Sequence, residues 1–381
     1  MIFDYLIPFL LSFAGVILIT PLIKSFALKR NIVDDPRIYP ERKIQAKPTP
    51  LLGGIAVFTA FSLVLLYYTL FTHRILGGYM LSKHVSGIIL AGLLLMVGGY
   101  LDDKYDLKPL QQIIWPLLAS LVIIAAGIGI PYITNPFGGT LYLDTIKIEL
   151  FKLGEIPYYF TLWADLLALI WLMGMVYTTK FLDGLDGLVP GVGAIGAFVT
   201  FVLSLTKTVA QPETALVSII LGGALLGFIV FSFHPARIFL GEGGSTFIGF
   251  MLGVLAIISG AKIATALLIM GIPILDTLWV VLRRVFKERK SPFWGDKKHL
   301  HFRLLDIGLS QRQAVLFLYL ITAAFGATSL FLKTEEKLTA LIVLLGVMLV
   351  LAVSLVLIYR YKKSKGNLTP IYGVDKSETK H

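Results

Sequence analysis

The chain has 381 residues, 56% of them hydrophobic and only 15% charged, a balance that excludes an ordinary soluble globular domain. It has no cysteine, which removes disulfides and thiolate metal sites and leaves the redox compartment unread. A net charge of +11 on so apolar a chain points to basic cytoplasmic loops and anionic lipid, not to nucleic acid.

Hydropathy predicts eleven membrane spans, near residues 5–28, 51–72, 85–101, 110–130, 158–179, 188–206, 214–233, 245–260, 263–284, 314–332 and 337–360, each close to the length that crosses a hydrocarbon core. The first run lacks a basic leader and a small-residue cleavage site, so it reads as a retained helix. An odd number of crossings puts the termini on opposite sides. The loops after spans 1, 3, 5, 7 and 9, with the C-terminal tail, hold 25 of the 34 Lys and Arg, against eight in the other loops. The positive-inside rule then places the N-terminus outside and the C-terminus in the cytoplasm. The expected fold is all-α, a single transmembrane domain over 1–360, with a polar tail over 361–381 expected to be disordered. The outer loop 131–157, with Gly138-Gly139 and the alternating run Leu141–Glu149, predicts one short hairpin.

On this topology the polar motifs share the cytoplasmic face. Lys47-Pro-Thr-Pro-Leu-Leu-Gly53-Gly54 precedes span 2; it reads as a cation with close backbone approach for phosphate, or as a helix-start signal. Gly98-Gly-Tyr-Leu-Asp102-Asp103 closes span 3. Carboxylates at a helix C-terminus work against the dipole, which favours a base or cation-binding role over a solvated end. Asp183-Gly-Leu-Asp186-Gly follows span 5, pairing two acids at a membrane boundary with glycines that admit a ligand; a solvated turn is the plain alternative. Gly241-Glu242-Gly-Gly-Ser245 opens span 8 and reads as a phosphate-binding or capping turn whose Glu242 suits a hard cation. Trp294-Gly-Asp-Lys-Lys-His299-Leu-His301-Phe-Arg303 lies in the longest cytoplasmic loop, where His299, His301 and Arg303 suit phosphate, metal or a uracil carbonyl. Asp276 within span 9 is either functional or the partner of Arg283 or Arg284.

Together, Lys47–Gly54, Asp102-Asp103, Asp183–Gly187, Gly241–Ser245 and the histidine loop ending Gly308-Leu-Ser-Gln-Arg312 resemble the polyprenyl-phosphate N-acetylhexosamine-1-phosphate transferases of glycosyltransferase family 4. These are relatives of phospho-muramoyl-pentapeptide transferase that start lipid-linked O-antigen (lipopolysaccharide), common-antigen and teichoic-acid linkage synthesis. The resemblance implies a multi-pass enzyme of the plasma (inner) membrane with a cytoplasmic active site. It moves a phospho-N-acetylhexosamine, with N-acetylglucosamine favoured, from a UDP-sugar to undecaprenyl or another polyprenyl phosphate and releases UMP. Mg²⁺ is the implied cofactor, with Mn²⁺ as a substitute, and a homodimer is admitted without any located interface. Asp102, Asp103, Asp183 and Asp186 are implied as catalytic. Lys47, Lys180, His299, His301 and Arg303 are implied as substrate-binding, and Glu242 with Asp103 as the metal pair.

Three of these motifs depart from the family pattern. Tyr177 and Lys180 stand where asparagines are usual, Glu242 where the metal aspartate is usual, and Phe302 where a third histidine is common. Lys180 cannot ligate a metal while protonated; it can pair with Glu242 or replace part of a cation's charge. The missing histidine speaks against the peptidoglycan enzyme. A catalytically impaired lipid-carrier-binding homologue is one alternative. A secondary transporter is another, disfavoured because the acids lie at one face and no repeat is visible.

Overall fold

Apolar sequence long enough to satisfy its own backbone in lipid folds as helix. The computed structural model describes residues 2–38, 47–72, 74–78, 80–135, 138–153, 156–260, 263–289 and 299–364. The helices are α1 Ile2–Lys29, α2 Gly53–Tyr67, α3 Ser82–Tyr105, α4 Pro109–Ala125, α5 Leu162–Leu182, α6 Leu188–Ser204 and α7 Pro212–Ser232. They continue as α8 Gly241–Ile258, α9 Ile263–Ile269, α10 Gly271–Leu282, α11 Leu300–Asp306, α12 Gln311–Phe331 and α13 Thr334–Ser364. Pro109 and Pro212 sit in the first turns of α4 and α7, where a missing N–H costs nothing. Ser310 and Gln313 cap α12 reciprocally, at 3.3 Å and 2.9 Å.

Among the described residues, eight helices are long and apolar enough to cross a membrane, and nine if α9 and α10, bent by 79° at their junction, form one span. The remaining two expected spans are α4 and α6, apolar but 17 residues each, at the short end of the spanning range. So all eleven expected runs are helical, while the number that crosses is coarser.

Helix α8 is the centre. It packs on α2, α3, α5 and α6, and 89% of its apolar window is buried against 11% for the peripheral α13. One apolar core runs from Val16 on α1 to Leu355 on α13.

The expected single outer hairpin is two. β3 Tyr132–Thr134 pairs with β4 Thr140–Tyr142 around Gly138-Gly139, and β5 Lys147–Leu153 pairs with β6 Ile156–Thr161. The alternating run was thus divided between two strands, and β6 takes the first residues assigned to span 5. A third small pair joins β1 Val33–Asp34 to β2 Thr49–Pro50, so the chain is mostly helical instead of all-α. Helix α13 reaches Ser364, past the expected boundary at 360. The remainder of the tail and Trp294–Lys298 of the histidine loop lie outside the described residues.

Candidate active site

The ends of α3 and α5, the starts of α2, α4, α6 and α8, and α11 meet on one side of the bundle, opposite the hairpins. Glycine lets them approach. A Cβ on Gly99 would lie 2.1 Å from the Gly243 nitrogen, and one on Gly54 2.2 Å from the Gly244 Cα, so α2 and α3 press directly on the first turn of α8. The Lys47–Gly54 segment is stitched to the same turn: Phe239 N–H donates to Pro50 O (2.8 Å), Gly53 N–H to Phe239 O (2.9 Å) and Gly54 N–H to Leu240 O (2.7 Å). Lys47 itself is exposed at the rim.

Four helices then contribute one side chain each to a hydrogen-bonded chain. Lys180 of α5 donates to Glu242 Oε1 of α8 at 2.6 Å and to Gln112 Oε1 of α4 at 2.8 Å. Gln112 Nε2 donates to Asp102 Oδ1 of α3 at 2.7 Å and to Leu107 O at 2.9 Å. The amide orientation is forced, because an ammonium only donates and a carboxylate only accepts. Asp103 accepts the Glu242 N–H at 3.1 Å while its other oxygen faces the Cα of Gly241 (φ 75°). Its neighbour differs: Asp102 Oδ1 carries Gln112 and the Leu107 N–H, but Oδ2 makes no hydrogen bond among the described residues.

The acid pair on the loop after α5 also divides. Asp183 is exposed and its carboxylate makes no hydrogen bond among the described residues, while its N–H donates to Lys180 O at 3.3 Å. Desolvation by the protein around this recess, followed by the charges of Glu242 and Asp186, raises its carboxyl to about 7. Asp186 instead turns to the α7–α8 loop, where Oδ2 meets His234 Nδ1 at 2.7 Å and accepts the Ala236 N–H at 3.1 Å. Arg312 Nε holds His234 O at 2.9 Å, and Tyr319 OH donates to Gly187 O. Asp186 thus fastens two loops.

The histidines close the other side. His299 Nδ1 meets Asp276 Oδ2 at 2.8 Å and Leu300 N–H donates to Asp276 Oδ1 at 2.9 Å, so Asp276 serves the histidine loop and not an arginine of its own helix. His299 stacks between Phe181 (5.9 Å) and His301 (5.6 Å). His301 is 1% exposed with neither ring nitrogen hydrogen-bonded; burial, then His299, holds its pKa well below the ordinary imidazole range. It fits only because residue 184 is glycine, since a Cβ there would lie 2.2 Å from its Nε2. Beside it is a small, mostly apolar crevice, walled by Leu188, Ile272, Leu318 and Thr322 among others. Arg303 is half-buried on α11.

A hard divalent cation needs several converging oxygens. Among the described residues no group of three acids or histidines is placed to hold one. Asp103 and Glu242, expected as the metal pair, meet through a backbone N–H, and the Glu242 carboxylate is taken by an ammonium. That pair does not fit the ion.

Sequence reasoning passed over Gln112 and His234. The signals were a Gln-Gln pair opening an apolar helix and a His-Pro step in a loop between spans.

A model of glycosyl transferase family 4 matches residues 85–260. A probable undecaprenyl-phosphate N-acetylglucosaminyl 1-phosphate transferase of Bacillus subtilis (strain 168) is 30% identical over 86% of this chain and 85% of its own. A decaprenyl-phosphate N-acetylglucosaminephosphotransferase of Mycolicibacterium smegmatis is 33% identical over 88% and 84%. A phospho-N-acetylmuramoyl-pentapeptide-transferase of Sulfurimonas denitrificans is 29% identical over a smaller share, 70% and 76%.

Proposed function

This chain belongs to glycosyl transferase family 4, and on that premise we propose that it transfers N-acetylglucosamine 1-phosphate from UDP-N-acetylglucosamine to a polyprenyl phosphate, releasing UMP. The observation that carries this reading is the meeting of Asp102, Lys180, Asp183 and Glu242 at one end of the bundle, in a chain with relatives over more than four-fifths of its length that are named for that transfer. The distribution of Lys and Arg supports a site at the cytoplasmic face of the plasma membrane.

In the reaction an acceptor phosphate oxygen forms a bond to the phosphorus that bears the sugar, and the bond from that phosphorus to the oxygen of UMP breaks. Two anions must be brought together, so positioning and charge compensation dominate. Lys180 supplies the central positive charge, and Lys47 at the rim meets the donor diphosphate. Asp102, through its free oxygen, orients or deprotonates the acceptor phosphate, while Asp103 holds the start of α8. Asp183 orders the recess. His299 and His301, with Arg303 nearby, border the nucleotide. Mg²⁺ or Mn²⁺ is the cofactor the family resemblance implies, and no step is assigned to it here.

The test is UMP release by purified protein in detergent, with undecaprenyl phosphate and UDP-N-acetylglucosamine. UMP that requires the lipid acceptor and is lost in Asp102→Ala supports the reading. Release that ignores the acceptor, or no release from any UDP-N-acetylhexosamine, overturns it.

A further inference from the structure

Lys180 and Glu242 form a half-enclosed ion pair at the centre of the polar network. Their side chains are 18% and 17% exposed, from helices 62 residues apart in sequence, and both depart from the family pattern. We propose that the Lys180 ammonium is a built-in cation occupying the position on Glu242 where a divalent ion would otherwise bind, so that this site meets phosphate with a charge borne by the protein.

Three observations lead there. First, Glu242 Oε1 is bonded directly to the ammonium at 2.6 Å, and a metal on the same carboxylate would sit against a like charge with little water to screen it. Second, the ammonium is held in place. Gln112 takes a second N–H at 2.8 Å and is itself fixed by Asp102 and the Leu107 carbonyl, while the Tyr177 ring lies 5.8 Å from Nζ. A lysine kept only as counter-ion to Glu242 would not need that second anchor. Third, an ammonium has three donors, and the third has no partner among the described residues. It faces a neighbourhood in which Asp102 and Asp183 also keep unbonded oxygens, as expected of a group that completes its shell on a ligand anion.

The two residues therefore form one unit. A lone lysine here would repel a metal bound by the other acids, and a lone glutamate would leave a buried charge uncompensated. Substituted together they exchange a metal-bound carboxylate for an ammonium–carboxylate ion pair whose cation is borne by the protein.

The inference rests on the proposed function only in naming phosphate as the anion, and its test uses no substrate. Mn²⁺ binding to the full-length protein in detergent is titrated by electron paramagnetic resonance for wild type, the charge-free variant Lys180→Met/Glu242→Gln, and the variant Lys180→Asn/Glu242→Asp. Any Mn²⁺ binding of the wild type is expected to be undiminished in Lys180→Met/Glu242→Gln. Lys180→Asn/Glu242→Asp, which frees the carboxylate, is expected to bind about tenfold or more tightly than wild type. Weakening of wild-type binding in Lys180→Met/Glu242→Gln overturns the proposal, as does a folded Lys180→Asn/Glu242→Asp with unchanged affinity. Should the latter not fold, the comparison of wild type with Lys180→Met/Glu242→Gln decides alone. Loss of this inference leaves UMP release intact, and absence of UMP release leaves the Mn²⁺ result standing.

Discussion

The two flanks of the recess are built to opposite rules. On the α3–α4–α8 side the polar groups are tied to one another, with one Asp102 oxygen and one Lys180 donor left open: Asp102, Gln112, Lys180, Glu242 and Asp103 form a continuous hydrogen-bonded run. On the α10–α11–α12 side, beyond the Asp276–His299 pair, His301 is buried with both ring nitrogens unbonded beside a mostly apolar crevice. A satisfied network rigidifies, whereas a buried unbonded polar group is costly unless something completes it. The first flank is assembled by the protein alone, and on the proposed function the second would be completed by substrate.

The sharpest way to break that contrast is to unpair the first flank. Lys180→Met leaves Glu242 without its cation, and loss of one partner of a buried pair costs about 3 kcal/mol. UMP release should fall by roughly 10²–10³-fold, as for removal of a preorganised charge in other enzymes. Lys180→Met/Glu242→Leu removes both charges and should recover much of the melting temperature but none of the transfer. If the double variant regains transfer, Lys180 serves stability alone.

The second flank is tested by crowding it. Gly184→Ala puts a methyl 2.2 Å from His301 Nε2 and 2.9 Å from Phe302 Cζ. Overpacking of this kind costs about 1–3 kcal/mol, and here it is relieved by moving His301 out of its stack. The expected result is a KM for UDP-N-acetylglucosamine raised about tenfold, the equivalent of about 1.4 kcal/mol. Gly174→Ala on α5 meets nothing within 4 Å and serves as the control, with transfer unchanged. Equal KM values for the two variants would separate His301 from the donor.

What the sequence made legible follows from the same division. Helices were readable because an apolar run must close its own hydrogen bonds in lipid, and the motifs because acids at helix ends are expensive. The pairing of Lys180 with Glu242 was within reach as a charge argument across 62 residues. Which acids stay open was not. Asp102 and Asp103 are adjacent and chemically identical, and only the placement of Gln112 and of the Glu242 N–H separates them. Likewise Asp183 and Asp186 share one motif, but His234 is brought to Asp186 by the α7–α8 loop, a tertiary fact with no periodicity to announce it. The hairpins between α4 and α5 were half-seen, because an alternating run does not show where a turn divides it.

That separation of Asp183 from Asp186 sets the smallest expected effect, one of pH. The Asp183 carboxyl lies at about 7 in the folded protein against an ordinary 3.8, so between these values the native state holds a proton that the unfolded chain has released. Stability then falls as pH rises through that window, and the cost is complete above about 7. Asp183→Asn removes the ionisation. Without substrate or added metal, its melting temperature should match wild type near pH 5 and exceed it near pH 8. Asp186→Asn should instead lower the melting temperature at both, because its carboxylate holds His234 and the Ala236 N–H. A gain for Asp183→Asn that is no larger at pH 8 than at pH 5 would mean that the recess solvates this carboxylate as well as water does, and the open member of the pair would have to be sought elsewhere.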